Sequence, residues 1–476
     1  MSIEHTTNPI VIVGGGVTGL VTAQLLLEKG QSVVVIETLP VVGGLARSYR
    51  YDNGYVFDCG PHRFDVGNPN VQAYVERILG NNYTNFPRKS EVYFKGKYYG
   101  WPIKLKNLLQ LPKEVALRAT VDLAINGYKN YDEDNFQTYI LRQYGPTLYQ
   151  HFFEGYSLKF LGIHPNKTHS DWAKVGINRA IINDNAQMQT LFQLLKTTIF
   201  QSKQAPQCFV YPKQGMQDAW DAVAENITRL GGRIITNARA EVTKVGNTID
   251  SVLVYSNEKL DSAMHPDGNT AKLIETIKPS EVIWTGPIQQ VAKQLDLPSS
   301  KLEYLGLLLF NVMVENEEAP RDYQWCYYGE SNLLLNRVST PKFLSPYTCP
   351  TNGVGYCCEV TCMVGDERWK SGEKLSDWII QDLIDVGMIR DRKNVVDIKV
   401  ERLPHSYPIY SSEYPEELAK MRENISQFKN LHLAGRTGLF WYNNMDHSME
   451  NAFQLSRRLL QARGIICTEE SLAAGT

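Results

Sequence analysis

Residues Pro9 to Glu37, PIVIVGGGVTGLVTAQLLLEKGQSVVVIE, constrain this chain more tightly than any other stretch. The apolar run Ile10 to Val13 reads as a buried parallel strand. It feeds directly into a G-x-G-x-x-G pattern made by Gly14, Gly16 and Gly19. Helical periodicity follows through Leu20, Ala23, Leu26 and Leu27, and Gly30 stops it. A β-branched run, Ser32 to Ile36, then completes a βαβ unit that ends on Glu37. Gly14 permits the tight turn, Gly16 lets backbone N–H groups approach a pyrophosphate, and Gly19 lets helix and strand pack closely. Val17 and Thr18 begin the helix, whose free N–H donors and partial positive charge suit phosphates. Glu37 stands where a carboxylate accepts hydrogen bonds from a ribose hydroxyl. Together these features specify a dinucleotide site in a parallel α/β domain.

A second glycine loop follows at once, Gly43-Gly44-Leu45-Ala46-Arg47, and it supplies a cation for a phosphate or a flavin carbonyl. A nicotinamide site does not need this loop, so the cofactor expected is FAD. The series GGGVTG, Glu37, GGLAR resembles the N-terminus of the FAD-dependent amine-oxidase and protoporphyrinogen-oxidase-like superfamily. The strand Tyr55 to Asp58 next ends in Cys59-Gly60-Pro61-His62-Arg63-Phe64. This stretch is similar to the G-P-H-x-F of UDP-galactopyranose mutases and the G-G-H-R-F of their oxidoreductase-like relatives. The resemblance implies that Gly60 and Pro61 adjoin the cofactor and that His62 lies against the flavin ring. There an uncharged or positive group would favour the reduced anion.

The length of 476 residues calls for two or three lobes rather than one core. A net charge of −2 argues against an electrostatic nucleic-acid binder. The polar start MSIEHTTN lacks a signal peptide's apolar core, and runs such as Leu305 to Val314 reach about half the ~20 residues of a membrane span. A cytoplasmic protein with a small-molecule substrate is expected; the sequence leaves the oligomeric state open. The eight cysteines show no metal-ligand spacing and read as reduced core thiols.

Asn68 to Gly80 reads as a capped helix, and Ser90 to Pro102 as a hairpin turning at Lys95-Gly96. Residues 103 to about 200 are helix-rich, and DSAMHPDGNT at 261–270 is a surface loop. Tyr156 to Gly162, YSLKFLG, resembles the Y-T-x-K-x-W-G of the mutases, with Leu161 where they carry a tryptophan near the nucleotide end of the substrate. Tyr211 to Met216 resembles the superfamily's P-x-G-G-M turn. The resemblance also makes Val242 the residue whose backbone reads adenine. Arg337, a lone arginine in a strand, is read as a clamp for phosphate or carboxylate.

The strand LHLAGR, a loop and the helix MDHSMENAFQLSRRLL repeat the opening logic near the C-terminus. The spacing G-R-x-G-x-x-x-Y-x-x-M-D, from Gly435 to Asp446, is shared with the mutases. It implies that Gly435, Arg436, Met445 and Asp446 close over the flavin, and that Arg436, Tyr442 and Tyr407 grip a sugar-nucleotide diphosphate. His62, Arg436 and Tyr442 are the expected catalytic residues. The fold expected is α/β: a Rossmann-like FAD-binding domain of the GR2 type, interleaved with an antiparallel-sheet substrate domain and a helical insertion. The expected divisions are 1–100 (FAD-binding, with the hairpin), 101–205 (helical substrate lobe), 206–300 (FAD-binding), 301–400 (substrate sheet) and 401–476 (closing FAD segment and helix). The favoured activity is an FAD-dependent oxidoreductase on a small substrate that bears a sugar or phosphate. A redox-neutral sugar-nucleotide mutase is the alternative. Amine oxidases proper often carry a lysine near the flavin, and the sequence places none there.

Overall fold

The computed structural model describes residues 8–101, 111–125, 134–174, 208–256 and 272–475. Five short strands make a parallel sheet in the order Arg233–Ile235, β2 (Val33–Ile36), β1 (Ile10–Val13), Glu281–Trp284 and Leu431–Leu433. β1 and β2 are almost wholly buried, as strands covered by helices on both faces must be. The helix α1 (Val17–Glu28) is apolar nearly all round, because it packs against both Gln217–Arg229 and the closing helix Met445–Ala462. Strand order reverses at β1, whose two neighbours are β2 and Glu281–Trp284. Ligands of open α/β sheets bind in the crevice beyond the strand ends at such a reversal. Here that crevice begins at Gly14 and Thr285.

A seven-stranded sheet stands beside it, in the order Val395–Pro408, Tyr304–Glu315, Gly353–Cys362, Arg337–Ser339, Trp325–Tyr328, Ser90–Phe94 and Lys97–Trp101. Its pairs are antiparallel except Trp325–Tyr328 with Ser90–Phe94. The hairpin turns as expected at Lys95 (φ 48°) and Gly96 (φ 75°). It is hydrogen-bonded into this sheet, although the sequence reading grouped it with the cofactor domain. Val395–Pro408 likewise runs across the expected division at 400. Composition does not mark that point, because one long strand serves the sheet on both sides of it.

The helical insertion contains Lys113–Ile125, Phe136–Leu148, a π turn at Tyr149–Glu154 and Gly155–Leu161. Gly145 (φ 74°) breaks the second of these helices ahead of Pro146. Leu161 is buried in the core. The neighbouring Lys159 is held by the carbonyls of Tyr328, Glu330 and Leu335, which ties the insertion to the end of the strand Trp325–Tyr328 and the loop after it. The rest of the expected helical stretch, and the loop DSAMHPDGNT, lie outside the described residues. Among the described residues no helix is long and apolar enough to cross a membrane. Cys59, Cys326, Cys357, Cys358, Cys362 and Cys467 are free, buried thiols, and Cys349 is a free, half-buried one.

Asp58 ends the strand that leads to His62 and is buried. It accepts hydrogen bonds from Ser48 Oγ (2.6 Å), Tyr211 Oη (2.8 Å) and Met216 N (3.1 Å), so it locks the Tyr211–Met216 turn to the strand. Burial outweighs these donors and pushes its carboxyl from 3.8 up to about 6. The folded state therefore binds this proton more tightly than the unfolded chain does. Its stabilising contribution is complete below pH 3.8 and is lost as pH rises through about 6. We predict that D58N gains on the wild type by on the order of 2 kcal/mol between pH 4 and pH 7. Denaturant unfolding at the two pH values measures this, and a difference independent of pH would refute it.

Candidate functional site

The two glycine loops meet backbone to backbone. Gly43 N donates to Gly15 O (2.8 Å), and Gly16 and Gly43 form an isolated parallel bridge. Gly44 has φ 56°, and a Cβ there would lie 2.9 Å from the Cα of Gly16. Gly14 (φ 107°) could not carry a side chain either, because its Cβ would overlap Thr285 Oγ1. α1 starts at Gly16 with no side-chain cap, so its first N–H groups face the crevice without a protein acceptor of that kind. Glu37 is buried and accepts from Gly15 N (2.6 Å) and Leu39 N (2.9 Å). Arg47 is also buried, with its guanidinium on Gly44 O (2.8 Å) and Tyr49 Oη (2.7 Å). The opposite chain end closes the ring, where Thr18 Oγ1 donates to Ser448 O (3.0 Å).

The result is a cavity of about 300 Å³. Gly14, Gly16, Val17, Thr18, Gly19, Glu37, Gly43, Gly44, Arg47, Pro61, His62, Gly435, Arg436, Met445 and Asp446 all line it. Arg63, presented by the same turn as His62, also lines it, and the sequence reading missed the further wall residues Thr285, His405 and Asn443. Gly60, Val242, Arg337, Tyr407 and Tyr442 are not part of this lining. Gly60 lies behind it, where a Cβ would stand 3.3 Å from Glu359 Oε1 and 3.4 Å from Arg337 Nη2. Val242 belongs to a separate three-stranded sheet, and its N–H donates to Gln294 Oε1 (3.0 Å).

Arg337 is not an open clamp. Its Nε and Nη2 each lie 2.7 Å from a carboxylate oxygen of Glu359, which is wholly buried, and Nη2 is 3.3 Å from Tyr407 Oη. Glu359 was legible only as a single acid inside the apolar run Val354 to Val364. Arg436 lies between two rings, with Cζ 5.0 Å from the centroid of Tyr407 and 4.6 Å from that of Tyr442. It donates to the carbonyls of Asn443 and Ser406, and its Nε is buried without a partner among the described residues. Trp172 backs Tyr442 in a stack at 5.1 Å and 15°. His62 Nδ1 is also buried and, among the described residues, unpartnered. Loss of hydration, and then the charges of Arg436, Arg337 and Arg63, lower the His62 imidazole from 6.5 to about 3. His62 is therefore neutral at physiological pH.

The family model for flavin containing amine oxidoreductases matches residues 17–297. The chain belongs to that family. A dTDP-fucopyranose mutase from Escherichia coli is 28% identical over 168 residues, 34% of this chain and 43% of that protein. An L-amino acid oxidase from Cerastes cerastes is 34% identical over 92 residues, 19% of this chain and 18% of that protein. The chain thus spans less than half the length of each of these two relatives. The crystal structure of reduced UDP-galactopyranose mutase superposes with a TM-score of 0.78 at 20% identity, over 98% of this chain and 96% of that one. That likeness shows the fold.

Membership of the flavin amine oxidoreductase family makes FAD the cofactor. The cavity fits it on physical grounds. Side chains are excluded where Gly16 and Gly44 approach, an uncapped helix terminus faces the gap, and unpartnered nitrogens of His62, Arg436 and Asn443 remain at the far end. We predict that G44A, which adds a clash to a left-handed backbone, weakens FAD binding at least tenfold without unfolding the protein. FAD titration with circular dichroism tests this, and wild-type affinity would refute it.

Proposed function

We propose that this flavin enzyme catalyses a redox-neutral rearrangement of a nucleotide-linked sugar. The observation that carries the reading is Arg436, stacked between Tyr407 and Tyr442 and, among the described residues, without a carboxylate partner. A planar cation fixed by two rings is suited to an anionic group such as a diphosphate. Support also comes from what the walls lack: among the described residues, no lysine lines the cavity. The names of the mutase relatives agree with this reading. Leu161 in place of the tryptophan is less contrary to it than the sequence suggested, because Trp172 brings an indole to Tyr442 from elsewhere in the chain.

In this reading Gly14, Gly16, Gly43, Gly44 and the start of α1 hold the FAD pyrophosphate, and Glu37 accepts from the ribose. FAD, when bound, supplies two-electron chemistry at its isoalloxazine ring. His62 presents a neutral imidazole to the cavity, so it orients by hydrogen bonding and adds no charge. Arg436 offers positive charge with its direction fixed in advance, which avoids reorganisation when negative charge develops. Tyr407 and Tyr442 hold its plane, and the Arg337–Glu359 pair fixes Tyr407 from the other side.

A second reading, an oxidoreductase on a sugar- or phosphate-bearing substrate, rests on the family match and on the same cation. Anaerobic holoenzyme incubated with UDP-galactopyranose and with dTDP-fucopyranose separates the two. We expect ring-contracted product from the reduced protein alone, with no net change in flavin oxidation state. R436Q should lower kcat/KM about 10- to 100-fold, the worth of a hydrogen bond to a charged group. Stoichiometric reduction of oxidised flavin by the sugar would overturn the mutase reading in favour of the oxidoreductase.

A further inference from the structure

Behind Arg436, whose side chain lines the cavity, a file of oxidisable rings continues outward. Tyr442, the ring under the guanidinium, stacks on Trp172 with centroids 5.1 Å apart and planes at 15°. Trp172 meets Tyr410 edge-on at 6.2 Å, and Tyr410 stacks on Tyr414 at 4.3 Å and 7°. Trp172 and Tyr410 are buried, so the middle of the file is shielded from solvent. Its outer end is not. Tyr414 is 9% exposed, and its Oη donates to the carboxylate of Asp171, whose side chain is 33% exposed. Neither the cofactor site nor the proposed function gives Tyr410, Tyr414 or Asp171 a role.

The order of residue types along the file has a chemical meaning. An indole can give up one electron and persist as a cation, whereas a phenol that does so becomes strongly acidic and needs a base beside it. Of the three phenols in the file, Tyr414 alone donates to a carboxylate among the described residues. Burial opposes ionisation of Asp171, but Tyr414, Lys174 and His169 together hold its carboxyl below the usual range, so the base is present at neutral pH. Charge sets a direction as well. Arg436 repels an electron vacancy at the cavity end and Asp171 attracts one at the outer end, and both fields reach Tyr410. A second file leaves the cavity at His405, passing Tyr304 (5.5 Å) and Phe440 (4.9 Å) before Tyr410 and Tyr414. Phenylalanine is far harder to oxidise than tyrosine or tryptophan, so Phe440 interrupts that route and leaves the one through Trp172.

We propose that Tyr442, Trp172, Tyr410 and Tyr414 form a relay that carries one-electron oxidising equivalents from the flavin cavity to the surface, where they rest as a neutral tyrosyl radical on Tyr414. A one-electron oxidant in the cavity, such as light-excited oxidised FAD, takes an electron from the file, and the vacancy passes through Trp172 to Tyr414. The Tyr414 O–H bond breaks as an O–H bond forms on Asp171, so the oxidant gains one electron and Tyr414 loses one electron and one proton. A thiolate in solution then restores Tyr414 by giving it an electron while Asp171 returns the proton. The relay requires FAD in the cavity and is independent of whether the enzyme rearranges or oxidises its substrate.

The test illuminates oxidised holoenzyme with blue light, freezes it and reads protein radicals by electron paramagnetic resonance, with all proteins compared at equal bound FAD. We expect a tyrosyl signal in the wild type that narrows when the protein is grown on ring-deuterated tyrosine. Y414F removes the resting place of the radical and D171N its proton acceptor, so each should lower the yield by about fivefold or more, and W172F by about threefold or more. Y414F removes one oxygen and D171N one charge, so the rings stay packed, and these two carry the test if W172F does not fold. An absent wild-type signal, or an undiminished one in any variant that folds, would overturn the proposal.

Discussion

The contact between Gly16 and Gly44 is the constraint on which the rest of the structure depends. Two loops can share one phosphate-sized gap only if neither projects a side chain into it, and both must be anchored firmly enough to stay there. The anchoring comes from the parallel sheet. β1 sets the first loop, and β2 ends on Glu37, whose carboxylate reaches back to Gly15 N. Thr285 steadies the turn by donating to Val13 O (2.9 Å). The sheet thus fixes backbone donors in space, and the helix terminus adds its partial charge to them.

Charge is arranged differently at the other end of the cavity. One buried acid near that end, Glu359, is paired with Arg337. Arg436 and Arg63 are held by aromatic faces instead of carboxylates. Stacking orients a guanidinium without cancelling its charge, whereas an ion pair does both. The same cations help keep His62 neutral, so the imidazole and the arginines divide orientation and electrostatics between them.

The sequence made the cofactor half legible because its requirements are local. Gly14, Gly16 and Gly19 are fixed by turn geometry within a few residues, and Glu37 follows from the length of one βαβ unit. The Gly435 to Asp446 segment was readable for the same reason. Arg337 was not, because its partner Glu359 comes from a neighbouring strand whose pairing no local pattern announces. At Val242 the strand valine is visible in sequence, but the Gln294 side chain that accepts from its N–H is not. The seven-stranded sheet draws the hairpin, the middle of the chain and Val395–Pro408 together, so linear divisions of the sequence could not follow it.

Thr18 and Ser448, which seal the cavity, are separated by 430 positions. The edge strand Leu431–Leu433 and the closing helix also leave the ribosome well after the glycine loops. The glycine loops are therefore synthesised long before the wall that completes them, and α1 must wait with an apolar surface exposed until the closing helix arrives. Contacts this distant slow folding and prolong the time during which such surfaces can aggregate. A cofactor that binds only the finished cavity favours the completed state by mass action. FAD supply during synthesis thus bears on how much of this chain survives to fold, apart from any part it plays in turnover.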